Sequence, residues 1–336
     1  MKKNYLDIID PIHDFIRVYD YELPIIDSPL FQRLRRIKQL SGAHLTYPSA
    51  QHSRFEHSLG VMHIATEAGF ALNEKEFLNS DDVQILRLAS LLHDIGHGPF
   101  SHLFEEIIQE KKISHEDFGK KIILKSEIGD ILSKTGFDKK LIAQIAFGDS
   151  KFQYLNEIVS GALSADMMDY LLRDGYFTGA EHAKVDHKRI TQSLNVHKKK
   201  IALERSALYS FESMMHSRYQ MFKAVYFHKT VRAAEVMLIQ ALRLSDDEFG
   251  FTSFNLNEYV ELTDEFVLSS IISSKSSKLK KAKKLAEDYQ NRKLLKCVFE
   301  RILTSQKNLK KTRTDELRLQ ISKKSHVDEN EIYVDS

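Results

Sequence analysis

Histidine and acidic side chains gather in four short stretches of this chain: HSRFEHSLGV at 52–61, LLHDIGHGPFSHLFE at 91–105, HEDFG at 115–119 and SADMMDYLLRD at 164–174. Imidazole is the commonest metal ligand and the side chain best suited to proton transfer near neutral pH, and carboxylates complete the donor sets that divalent ions take. His93 and Asp94 are adjacent and close an apolar periodic run, VQILRLASLLHDI, just before Gly96, Gly98 and Pro99. Neighbours on a helix diverge by about 100°, so both can serve one ion only near the helix end, where glycine and proline let the chain turn. A mixed nitrogen and oxygen set suits Mn, Fe, Co, Ni or Zn and leaves positions for water and phosphate. His57 and Asp166 are further donors of the right type, although a single His or a single His-Asp pair is more often a satisfied structural group than a ligand.

The elements that must position these groups are helices. Only 13 Gly and 5 Pro serve 336 residues, and apolar residues recur at three and four spacing, as in LIAQIAF at 141–147. All five prolines, at 11, 24, 29, 48 and 99, lie in the first third, so irregular connections belong there and the later helices have no proline to interrupt them. The expectation is an all-α fold with a minor β-hairpin, for which FIRVYD at 15–20 and KKKIALE at 198–204 are candidate arms. After about residue 240 the composition shifts to Lys and Ser, as in SSKSSKLKKAKKLAEDYQNRKLLK, and then to the charge-alternating tail NLKKTRTDELRLQISKKSHVDENEIYVDS. We therefore expect a catalytic region over 1–240 and a smaller helical, charged region over 241–336. The lysine run reads as a solvated helix face rather than a nucleic-acid surface, because no aromatic platform is interleaved with it.

Composition sets outer bounds. A hydrophobic content of 42% supports a sizeable core, and a formal net charge of +2 selects no partner class. The single cysteine, Cys297, excludes an intrachain disulfide. The N-terminus MKKNYLDIIDPIHDF lacks the apolar stretch of a signal peptide, and no run approaches bilayer-spanning length. The expected address is the cytoplasm, with no membrane insertion.

The ordered motifs, together with DPIHDFI, DSPLFQRLRRIKQLSGAHLTYPSAQHSRFEHSLGV and RYQMFKAVYFHKTVRAAE, resemble the HD superfamily and specifically its deoxynucleoside triphosphate triphosphohydrolase branch, over residues 7 to about 236. The resemblance implies an HD-domain helical fold and one divalent metal per subunit (Mn, Fe, Co, Ni, Zn or Mg) on His57, His93, Asp94 and Asp166. It implies phosphate-handling or catalytic roles for His97 and His115, with Glu105 orienting His115 from one methylene further than the aspartate more usual there. Gln39, Leu40, Tyr170 and Asp174 fall where the family contacts the deoxyribose, Tyr226 where it packs beside the nucleoside, and Arg218 where it reaches the triphosphate; Lys229 is a weaker candidate. Arg54, three residues before His57, offers a planar fork to phosphate, its alternative being a surface ion pair. The position after the last metal aspartate, a phosphate-contacting lysine in animal members, is Met167 here.

The same resemblance implies homo-oligomers activated by a guanine nucleotide, with Asp27, Gln32 and Arg35 at base-reading positions and Phe55 packing on the base. The alternative is that Asp27 caps a helix opening at Pro29 and the arginines are surface groups. RKLLKCVFE and NEIYVDS resemble late segments of a family whose chains usually continue further, so both a short member and a chain lacking an oligomer-completing tail stay open. The expected reaction is dNTP hydrolysis to deoxynucleoside and inorganic triphosphate. Two other readings stand beside it: a phosphodiesterase or pyrophosphohydrolase acting on a signalling nucleotide, and a non-catalytic scaffold that senses nucleotides or binds nucleic acid.

Overall fold

Helices account for nearly all of the regular structure in the computed structural model, which describes residues 4–251, 253–300 and 311–335. Those longer than a single turn are α1 (Arg54–Glu74), α2 (Ser80–Leu92), α3 (His102–Ile108), α4 (His115–Lys125), α5 (Glu127–Lys134), α6 (Lys139–Ala146), α7 (Gln153–Val159), α8 (Ala165–Thr178), α9 (His187–Gln192), α10 (Leu208–Met221), α11 (Lys229–Phe249), α12 (Asp264–Ser273), α13 (Lys280–Gln290) and α14 (Lys311–Ser325). The N-terminal lysines Lys2 and Lys3 and the first residues of the charge-alternating tail, 308–310, lie outside the described residues.

The central element is α1. Ser53 and Glu56 form a capping box at its start, which satisfies backbone N–H groups that have no partner in the first turn. Phe55, Leu59, Val61, Met62, Ile64, Ala65, Ala68 and Leu72 are all buried, so apolar residues cover α1 almost all round, as a helix enclosed by others requires. It packs against α2 along one side and α8 along another. Those two neighbours end or begin beside its N-terminal turn, bringing 52–61, 91–94 and 164–174 together.

Two hairpins form where a single one was expected. β1 (Tyr5–Asp10) pairs antiparallel with β2 (Asp14–Tyr19), which contains most of FIRVYD, and β3 (Leu194–His197) pairs with β4 (Lys200–Leu203). FIRVYD and KKKIALE are thus arms of separate hairpins, each closed by its own turn. The second turn is made by Lys198 and Lys199 with φ of +49° and +64°, a conformation usually signalled by Asn-Gly, so the local sequence carried no strong turn signal.

A second apolar cluster joins Phe100, Phe104 and Phe118 to Leu238 and Leu242 of α11, Val267 and Ile271 of α12 and Ala282 and Leu285 of α13. Residue 240 falls inside α11, which packs against both α3 and α13. On α13 the apolar face is Ala282, Leu285, Ala286 and Tyr289, with Lys280, Lys281 and Lys284 exposed.

This later region reaches back to the turn after α2. Asp264, buried at the start of α12, accepts the N–H of Phe100 at 2.6 Å and that of Lys38 at 3.0 Å. Tyr259 donates its hydroxyl to the Gly96 carbonyl at 2.8 Å, and Arg33 bridges the His97 and Leu262 carbonyls. Phe100 and Ser101 both have left-handed φ, near +56° and +54°, a conformation held in place by these surroundings. Gly96 permits the approach of the turn to α4, since a Cβ there would lie 2.1 Å from the His115 carbonyl oxygen.

Burial raises the Asp264 carboxyl to about 6, opposed by the two backbone N–H groups it accepts. Stability from such a group is fully present below the unfolded value and is lost as pH rises through the folded value. Asp264→Asn removes the titration, so wild type should lose on the order of 1 kcal/mol relative to that variant between about pH 5 and about pH 7.5. Urea unfolding of both proteins at the two pH values checks this, and a gap independent of pH would show that the carboxylate is already ionised at the lower one.

Candidate active site

His93 is the C-cap of α2, and its Nδ1 faces the Ser90 carbonyl at 2.7 Å. That contact places the ring proton on Nδ1 and leaves the lone pair on Nε2, which is buried and without a partner. His57, in the first turn of α1, faces Asp169 Oδ2 through Nδ1 at 2.8 Å and Asp166 Oδ1 through Nε2 at 3.1 Å. Asp166 stands in the first turn of α8, which is capped by Ser164. Donor atoms of His57, His93 and Asp166 all lie within 4.8 Å of one another, and this set is the compact metal-type cluster among the described residues.

Asp94 borders the cluster. Its Oδ2 lies 3.7 Å from His57 Nε2 and also meets Arg54 Nη1 in a short contact, while its Oδ1 lies 3.4 Å from His93 Nε2. Burial disfavours its charge, yet Arg54, His93 and His97 hold the carboxyl well below the usual range. Burial also works against a charged His57, but hydrogen bonds accepted by the Asp166 and Asp169 carboxylates raise it to about 10. Two imidazole Nε2 atoms and carboxylates converging in a buried site, one nitrogen lacking any partner, fit a divalent ion of the Mn to Zn series.

Next to this cluster His97 and His115 stack with ring centroids 4.0 Å apart. His115 is held by Glu105 through a 2.6 Å contact at Nδ1, so the longer glutamate reaches it directly. His97 Nε2 is 3.2 Å from Asp94 Oδ1, and burial together with the Arg54 charge holds its pKa well below the ordinary value. Arg54 is buried, donates from Nε to Ser101 at 2.7 Å, and keeps Nη2 without a partner. It is therefore not a surface ion pair.

Further along α8, Asp174 accepts from Tyr226 at 2.7 Å and faces His52 Nε2 at 2.7 Å. Tyr226 ends a π-helical turn, Phe222–Tyr226, and its ring lies 6.4 Å from that of Tyr170. The Gln39 N–H donates to the His52 carbonyl, and Gln39 Oε1 is buried without a partner; Leu40 is half-buried beside it. Arg218 lies over the Phe222 ring and close enough to Tyr170 to act on its charge, but it makes no contact with the metal-type cluster. Lys229 opens α11.

Gln32, Arg35 and Phe55 gather on another face: Arg35 lies 3.5 Å over the Phe55 ring and donates to Gln32 at 2.8 Å. Asp27 is exposed at the end of the turn Leu23–Ile26. The helix opening at Pro29 is capped by Ser28, whose hydroxyl accepts from Phe31, so Asp27 is not the cap considered above.

Several functional-looking residues escaped the motif reading. Asp169 is fully buried and also binds His13 Nε2 at 2.6 Å and Arg173, which in turn binds Asp10. Asp169 and Arg173 follow Asp166 at spacings of three and four along α8, which is the signal that could have found them. His52 stood within HSRFEHSLGV without being assigned a role, and Tyr259 and Asp264 carried no comparable local signal.

Because Asp169 sets the tautomer and orientation of His57, Asp169→Asn should weaken divalent metal binding by roughly 10- to 100-fold. Competition titration with Mn on folded protein checks this, and unchanged affinity would mean that His57 is oriented by other contacts.

Comparison with known proteins shows the family of the chain. The HD domain family matches residues 54–174 and the HD associated region matches residues 185–336. An uncharacterized protein of Bacillus subtilis, YwfO, is 35% identical over 280 residues, covering 77% of this chain and 64% of that protein. The deoxynucleoside triphosphate triphosphohydrolase SAMHD1 homolog of Dictyostelium discoideum is 32% identical over 334 residues, covering 91% and 62%. The chain thus spans less than two thirds of the length of either. A crystal structure of a hypothetical protein from Aquifex aeolicus superimposes with a TM-score of 0.77 at 35% identity, covering 94% of this chain and 82% of that one. With its His57, His93 and Asp166 cluster framed by α1, α2 and α8, the chain belongs to the HD-domain family and carries that family's associated region.

Proposed function

We propose that the protein hydrolyses deoxynucleoside triphosphates to deoxynucleoside and inorganic triphosphate. The observation that carries the reading is the division of α8: Asp166 faces the metal-type cluster, while Asp174, about 12 Å further along the helix axis, belongs to the His52 and Tyr226 group. One helix thus offers a charge-neutralising end for phosphate and a hydrogen-bonding end for a sugar, with Tyr170 between them. Relatives named as deoxynucleoside triphosphate triphosphohydrolases support the same substrate class.

A divalent ion held by His57, His93, Asp166 and Asp94 would offset phosphoryl charge and activate water. The chain's own groups divide the remaining work. Arg54 Nη2 is a buried donor free to meet a phosphate oxygen, and it stands in for the contact that Met167, buried in the core, does not make. When water adds at the α-phosphorus and the P–O5′ bond breaks, the leaving oxygen needs a proton, and His115, held by Glu105, is the candidate donor. His97, kept neutral by burial and Arg54, is suited to accept a proton or a hydrogen bond. Gln39, Leu40, Tyr170 and Tyr226 would line the sugar. We also propose a guanine-nucleotide site between subunits at Asp27, Gln32, Arg35 and Phe55, where Arg35 would leave the Phe55 ring for the base.

No helix among the described residues is long and apolar enough to cross a membrane. A cytoplasmic enzyme remains our reading.

Chromatographic product analysis with Mn and each dNTP, alone and with GTP, tests the proposal. Intact triphosphate should appear, and His115→Gln should reduce kcat by roughly 100-fold or more with little change in KM. Ribonucleotides cleaved as fast as deoxyribonucleotides would remove the sugar assignment. Pyrophosphate or monophosphate products would favour a phosphodiesterase or pyrophosphohydrolase acting on another nucleotide.

A further inference from the structure

On the opposite side of Asp169 from His57 lies a second group of metal-type donors. His13, in the turn between β1 and β2, gives its Nε2 to Asp169, while its Nδ1 is buried without a partner. Its ring packs against His63, with centroids 4.9 Å apart, and edge-on against His187, with centroids 5.6 Å apart. Between the last two stands Glu67, one turn after His63 on α1. His63 Nε2 lies 3.6 Å from Glu67 Oε1, and His187 Nε2 lies 3.5 Å from Glu67 Oε2.

These separations decide the reading. They are too long for hydrogen bonds, and both Glu67 Oε2 and His187 Nε2 are buried without a partner. Two ligand bonds of about 2.0–2.1 Å meeting near the tetrahedral angle hold their donor atoms about 3.4 Å apart. Each imidazole and its carboxylate oxygen therefore stand at the spacing of one edge of a coordination polyhedron. The imidazoles approach opposite oxygens of Glu67, and the three donors are not gathered within 4.8 Å of one another as those of His57, His93 and Asp166 are, so side-chain rotation must bring them onto one ion. The side chains of His63, Glu67 and His187 are 22%, 27% and 14% exposed, which leaves an ion a route from solvent.

We propose that His63, Glu67 and His187 form a second, weaker binding site for a divalent transition metal of the Zn class, backed by His13. Two imidazoles and one carboxylate are a donor set that such ions take with a fourth position left to water. The site shares with the first only the hydrogen-bonded path His13, Asp169 and His57, and its existence does not depend on the proposed reaction.

Calorimetric titration of untagged, chelator-stripped protein with Zn tests this. Wild type should bind two equivalents, the second more weakly. His63→Phe and Glu67→Gln, which keep side-chain volume, should each bind one equivalent while melting as cooperatively as wild type, and His93→Ala should lose the tighter equivalent and keep the weaker. A single equivalent in wild type overturns the proposal. So does a second equivalent that survives in the His63→Phe, His187→Phe double variant.

Discussion

The structure depends on a buried carboxylate that is never alone. Asp169 has no solvent exposure, and its two oxygens are shared among His13, His57 and Arg173, with Asp10 completing the charge balance on Arg173. An isolated carboxylate would be costly here, and removal of one partner from such a group typically costs several kcal/mol. The network therefore ties the β1–β2 turn, α1 and α8 into one arrangement. Gly60 makes the approach possible, because a Cβ at that position would lie 1.9 Å from Asp169 Oδ1. The reward for this constraint is directional: His57 is fixed with its proton toward Asp169 and its other nitrogen toward Asp166.

A second constraint acts on the turn after α2. Arg54 holds Asp94 and Ser101 from one side, while Asp264, Tyr259 and Arg33 hold the backbone of residues 96–100 from the other. Two successive residues with left-handed φ persist because these contacts hold the backbone on both sides of them. Asp264 and Tyr259 of the associated region thus act on main-chain positions of this turn, and Tyr226 of the same region reaches Asp174, while among the described residues none of its side chains joins the metal-type cluster. Tyr259 also stacks on Phe118 of α4, the helix that begins with His115, so the same segment steadies both members of the stacked histidine pair.

Much of this was legible in the chain. Apolar spacing in VQILRLASLLHDI marks α2, and the glycines and proline after it mark the turn that follows. Histidine and aspartate in three of the four motifs mark the residues that meet between α1, α2 and α8, and the fourth opens α4. Less legible were groups whose importance comes from partners far away. Asp264 lies more than 160 residues from Phe100 and sits in an unremarkable helix start, and His63 and His187 become neighbours only because α1 and α9 pack together. The second hairpin was half visible, since Lys198 and Lys199 close a turn without the residues that normally announce one.

What the sequence determined by itself was the helical class, the family and the donor types, because periodicity, glycine placement and motif residues are local properties. Tertiary structure alone decided which atoms face one another: His93 Nε2 left without a partner, His57 turned by Asp169, Arg54 committed to Asp94 with one donor to spare, and Glu67 set between two imidazoles. The physical reason is that burial and pairing depend on what the rest of the chain removes from water, and residue type sets only what each group requires once it is there.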